Sequence, residues 1–139
     1  MKKLMMCLVA LVMTVAVFAQ TETQDMIDQT PEVYATQVKD NMTTRYSLTA
    51  EQANEIYNIA KKTADQMQQL EKALGAQKDK TVYNKKKATI LKYGDVYIRR
   101  ALNKEQLAQY SKDRTLALKP QRMRERKEMA EQFNATQGN

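Results

Sequence analysis

The chain has 139 residues, a formal net charge of +7, 42% hydrophobic and 28% charged residues, no His, no Trp, one Cys, three Gly and two Pro. That balance describes a single helix-rich domain short of turn residues. Without His, and with its one Cys at position 7, it lacks Ser-His or Cys-His nucleophilic pairs and imidazole or thiolate zinc sites, so no catalytic residue, metal ligand or cofactor is assigned.

The first element is an address. Met1-Lys2-Lys3 is a short positive region, residues 4–18 run apolar without a charge, and Val17-Phe18-Ala19 offers a small-residue cleavage pattern. Together they predict a secretory signal peptide over 1–19. Fifteen apolar residues fall short of the roughly 20 that a membrane-spanning helix needs. Cys7 lies near the start of the apolar run, whereas a lipid-anchored cysteine would follow it, so lipidation is not expected. A mature chain from Gln20 would have 120 residues, no Cys, and 21 Lys plus Arg against 16 Asp plus Glu. Disulfides are therefore not expected in its framework.

Residues 20–29 are polar around an isolated Met26-Ile27 pair and are expected to form a flexible arm. Thr30-Pro31-Glu32 then starts a helix: Thr as N-cap, Pro where its missing N–H costs nothing, and Glu favourable to the helix dipole. Tyr34, Val38, Met42 and Tyr46 follow at four-residue steps, predicting a helix over about 31–45. A second helix opens at Leu48-Thr49-Ala50-Glu51-Gln52, where Thr49 and Gln52 form a reciprocal capping box. Ala53, Ile56, Tyr57, Ala60, Ala64, Met67, Leu70 and Leu74 keep its period. Gly75 is placed to end it in a left-handed cap.

A third helix is predicted over about 77–101, one bent helix with Gly94-Asp95 as the candidate kink. The fourth opens at Leu102-Asn103-Lys104-Glu105-Gln106, with Asn103 as cap, Gln106 reciprocating, and Leu102 and Leu107 as a hydrophobic staple. Pro120 is expected to break or bend it. Residues 121–133 continue as a basic segment, and 134–139 are expected to be a disordered tail.

The two capped openings, LTAEQ and LNKEQ, are 54 residues apart. In this respect the chain resembles the periplasmic LTxxQ-motif family, of the Spy-like chaperone and Cpx-pathway inhibitor type. The first copy matches the motif fully, and in the second Asn103 replaces Thr without loss of N-capping. The Thr-Pro-Glu opening is similar to small secreted members of the family from Bacteroidetes. The resemblance covers residues 30–115, and the helical domain is drawn over 30–133. It implies an all-α fold, a thin elongated helical hairpin of three to four helices, dimerising antiparallel into a cradle that holds unfolded or partly folded clients without ATP. It also makes Leu48, Thr49, Gln52, Leu102, Asn103 and Gln106 structural. The segment after Pro120 has no family counterpart.

Charge is uneven. Residues 20–60 hold seven acids and two bases, whereas 61–139 hold nine acids and nineteen bases. Lys85, Lys86, Lys87, Arg99, Arg100, Arg122, Arg124 and Arg126 are the candidate basic binding surface, for acidic clients, anionic lipopolysaccharide or the acidic N-terminal arm. The plainer reading is that they are solvated helix faces. Tyr57, Tyr97 and Tyr110 are read as core, and Tyr34, Tyr83 and Tyr93 as candidates for an adaptable surface. Leu, Ile, Val and Phe number only 18 after residue 19, so the apolar stripes need further partners and a homodimer is expected. The expected function is a periplasmic, non-enzymatic binding protein with chaperone-like or envelope-stress activity. A regulatory module for one membrane sensor is the alternative, and neither nucleic acid nor membrane spanning is expected.

Overall fold

The computed structural model describes residues 23–137, all helix and short connections. The proposed signal segment and its cleavage site lie outside the described residues. Five helices are described: α1 over residues 23–28, α2 Pro31–Tyr46, α3 Ala50–Leu74, α4 Thr81–Ala101 and α5 Lys104–Gln137. The all-α class is as expected, with one helix more than the three to four foreseen. None of these helices is long and apolar enough to cross a membrane. The described chain falls into two compact units that divide α5 between Gln109 and Tyr110.

In the first unit, α3 is central. It packs on both α2 and α4, and the short connections between successive helices make the order up, down, up. Thr30 starts α2 as read, its Oγ1 accepting from the Val33 N–H at 3.3 Å. The four-residue stripe then brings Tyr34 and Met42 into the interior with Val38 half-buried. Ala60, Ala64, Met67 and Leu70 of α3 share one core cluster with Met26, Tyr34 and Ala35, and Tyr83, Ile90 and Leu91 of α4 pack against it.

Several expectations are corrected. The segment read as a flexible arm is helical over 23–28 and seats Met26, 3% exposed, in the core. The Gln68 side-chain amide donates to the Met26 and Gln29 carbonyls at 3.0 and 2.7 Å, satisfying the end of α1. Burying one Met and capping one helix end outweighs the local polarity that suggested an arm. Tyr34 is core rather than surface, and Tyr97, read as core, is 48% exposed.

Gly75 does not adopt a left-handed cap. It is right-handed, with its N–H on the Glu71 carbonyl at 2.8 Å, and the Lys80 ammonium donates to the Gly75 carbonyl. A Cβ there would collide with the Glu71 carbonyl, so glycine serves by lacking a side chain and not by reaching positive φ. The left-handed cap lies at Ser47, φ 53° and ψ 53°, where α2 turns into α3.

Gly94 sits inside an uninterrupted α4 and is buried. A Cβ on it would stand 3.0 Å from Thr63 Oγ1, so this glycine lets α3 and α4 approach closely. Pro120 does not end α5, which runs on to Gln137 and includes residues 134–137 of the expected tail. An interior proline removes one hydrogen bond and crowds the carbonyl four residues earlier. The freed carbonyl is that of Leu116, which is 53% exposed, so water can take it up.

Candidate functional site

The two motif copies meet. Thr49 Oγ1 accepts from the Gln52 N–H at 3.2 Å, and Gln52 Oε1 accepts from the Thr49 N–H at 3.0 Å. Fifty-four residues later, Asn103 Oδ1 accepts from the Gln106 N–H, and Gln106 Oε1 from the Asn103 N–H, each at 2.9 Å. Capping occupies only one lone pair of each glutamine amide, leaving one lone pair and two N–H donors. These close on each other. Gln52 Nε2 donates to Gln106 Oε1 at 2.7 Å, and Gln106 Nε2 donates back to Gln52 Oε1 at 3.1 Å.

The remaining donors reach the ends of the preceding helices. Gln52 Nε2 donates to the Ala101 carbonyl at 3.0 Å, and Gln106 Nε2 to the Tyr46 carbonyl at 3.2 Å. All four hydrogen-bonding positions of both amides are thus used, and the ends of α2 and α4 are joined to the starts of α3 and α5. Leu48 and Leu102, each 9% exposed, are buried at equivalent motif positions, and Gln106 is 8% exposed. The six motif residues therefore form one structural node, closed to further ligands by its own satisfaction.

The candidate basic residues divide between the two units. On α4, Lys85 and Lys86 are exposed and Lys87 is half-buried. Arg99 is held by Asp95 at 2.6 Å, which offsets its charge, and the Arg100 guanidinium stands 5.7 Å from the centre of the Tyr97 ring. Arg122, Arg124 and Arg126 are exposed on the part of α5 in the other unit. The α4 bases are interleaved with exposed apolar side chains: Val82, Tyr93 and Tyr97 are 52, 58 and 48% exposed. Val82, Lys86, Thr89, Tyr93, Tyr97 and Arg100 recur at three- and four-residue steps and so lie along one face. Ile90 and Leu91, which pack on the core, lie off that line.

Elsewhere in this unit a few charged groups are held by named partners. Lys61 meets Glu32 at 3.0 Å across α2 and α3, which lowers the Glu32 carboxyl and raises the Lys61 ammonium from their usual pKa values. The Tyr83 hydroxyl donates to Glu71 at 2.8 Å; burial first, and then that bond, raise the phenol's pKa. The Asp79 carboxylate accepts from the Thr81 N–H at 2.9 Å where α4 begins, and that bond lowers its pKa. A depression beside α2 is lined by Glu32, Val33, Thr36 and Gln37, successive turns of one helix and not the walls of a cleft.

The amide-to-amide closure, the clamp by Gln68 and the left-handed Ser47 went unseen in the sequence. Donor accounting could have found the first, since two capping boxes in identical register each leave an amide with unspent donors. No protein-family model, curated protein sequence or solved structure matches the chain.

Proposed function

We propose that the chain is a periplasmic, non-enzymatic helical binding protein of the LTxxQ type, which holds unfolded or partly folded envelope proteins without ATP and dimerises to do so. The observation that carries this reading is the outer face of α4, where Tyr93, Tyr97 and Val82 stand half exposed among Lys85, Lys86 and Arg100. Long-range charge attracts acidic segments, and aromatic side chains with polar tips make weak, adaptable contacts. The paired motif copies support the family resemblance by forming one node. The scarcity of large aliphatic residues supports a second copy as a partner, to be checked by sedimentation mass at micromolar concentration.

The test is aggregation of a chemically unfolded client at rising protein concentration. Suppression is expected, and it weakens with added salt because exposed charges are screened over about 8 Å at physiological ionic strength. No suppression at several-fold excess, at low and at moderate salt, overturns the holding role. Recovery of one saturable membrane sensor in an envelope pull-down, in place of many clients, supports a regulatory module instead.

A further inference from the structure

The second half of α5 presents a different surface. At positions 119, 120 and 122–136 every side chain is exposed. Leu116, Met123 and Phe133 are 53, 63 and 61% exposed. With Ala130 they recur at steps of seven, seven and three residues, which places them along one side of a helix with 3.6 residues per turn. Lys119 and Arg126 fall on that side, with Arg122 and Lys127 at its edges. Glu125 and Glu128 fall on the opposite side and Glu131 on a flank, where it meets Lys127 at 3.9 Å. Four of the five bases over residues 119–127 are therefore gathered around the apolar line, Arg124 lies on the far side with the acids, and two of the three acids are turned away from the line.

Apolar residues bordered by long cationic side chains fit a boundary where hydrocarbon lies beside anionic phosphate. The stems of Lys and Arg lie along apolar surface while their heads reach the charged layer. A folded protein partner would instead require a groove matching Met123 and Phe133 and also neutralise Arg122 and Arg126. A duplex nucleic acid would use the bases but leave the apolar line in water. We propose that residues 116–133 of α5 bind along the surface of an anionic phospholipid bilayer, lying in the plane of the headgroups. This does not rest on the holding role of α4.

The chain has no Trp, so one introduced Trp reports its own surroundings. The full-length protein, as Phe133→Trp and separately as Glu128→Trp, is titrated with vesicles of equal parts phosphatidylglycerol and phosphatidylcholine, and with phosphatidylcholine alone. The apolar residues 4–18, if retained, are common to both variants and cancel in their comparison. A blue shift confined to Phe133→Trp and to anionic vesicles is expected. Replacing Lys119, Arg122 and Arg126 together by Gln should weaken partitioning about 100-fold, from roughly fivefold per cation near an anionic surface. Met123→Ser with Phe133→Ser should weaken it about tenfold or more through lost apolar burial. These side chains are exposed, so unchanged helicity by circular dichroism is expected in every variant. Equal shifts from both reporters, or a difference between them as large on neutral as on anionic vesicles, overturns the proposal.

Discussion

The glutamine node and the outer face of α4 are both made of side chains repeated at helical spacing, yet they end in opposite states. In the node, every donor and acceptor of Gln52 and Gln106 has a partner within the unit. On α4, Tyr93 and Tyr97 leave about half their surface to solvent. A fully satisfied polar cluster fixes helix ends and has nothing left for a ligand. An exposed aromatic line fixes little of the fold and remains available for one. The repeated motif is thus a device of folding, and the surface left open to contacts is the one that the repeat does not touch.

The largest expected effect breaks the first half of this contrast. Gln106→Leu removes the acceptor of the Asn103 N–H, a donor to the Tyr46 carbonyl and half of the bonds of the Gln52 amide, and should cost about 2–4 kcal/mol by urea denaturation. Gln106→Glu sharpens the point through pH. Its carboxylate would face the Tyr46 and Ser47 carbonyls with no proton to donate, so the folded state favours the protonated acid and raises its pKa. The variant's stability relative to the native chain should be best below the ordinary Glu value and fall as pH rises through the raised one. A flat difference from pH 3 to 7 would show that the amide donors matter little (pH range set by the ordinary Glu value of about 4.3).

Gly94→Leu comes next. It forces a side chain into the contact with Thr63 and should cost about 1–3 kcal/mol through overpacking, measured by thermal denaturation. Gly94→Ala lies nearer neutral, because tight approach to Thr63 opposes about 1 kcal/mol of gained helix propensity. Tyr83→Phe removes the bond to Glu71 and should cost about 1 kcal/mol. In an ultraviolet titration it should also remove a phenol that ionises above the ordinary tyrosine value. The stability that this bond contributes is present below the ordinary tyrosine pKa and lost as pH rises through the raised one.

Tyr93→Ser with Tyr97→Ser should leave stability within about 0.5 kcal/mol of the native chain, which separates the α4 face from the node. The smallest effect belongs to Lys61→Met. The pair's contribution is present above the ordinary carboxylate pKa and lost as pH falls through the lowered value of Glu32. On the alkaline side it is lost as pH rises through the raised value of Lys61. The native chain and the variant should converge in stability at high salt.

Much of the helical architecture was legible because local signals agree with it. Thr30-Pro31, Thr49 with Gln52, and Asn103 with Gln106 start their helices as read, and Ala60, Ala64, Met67 and Leu70 bury on the face that their spacing defines. What was missed depends on contacts distant in sequence or on residue types that give no warning. Met26 looked isolated until Gln68 and the α3 core reached it. Ser47 takes a left-handed conformation with no glycine to mark it, while Gly75 suggested such a cap and serves another purpose. Pro120 weakens a helix locally but does not dictate its end. The candidate basic surface was legible only as a set of charges: the i,i+4 spacing of Asp95 and Arg99 carried their pairing, but sequence could not tell that Tyr93 and Tyr97 on the same helix stay exposed.

The most direct test of the holding role compares the native chain, Tyr93→Ser/Tyr97→Ser and Lys61→Met in suppressing aggregation of one unfolded client at equal concentration. The account predicts that the native chain and Lys61→Met suppress alike and the double tyrosine variant, still folded, loses most of the effect. Equal suppression by all three, or none by any, would contradict it.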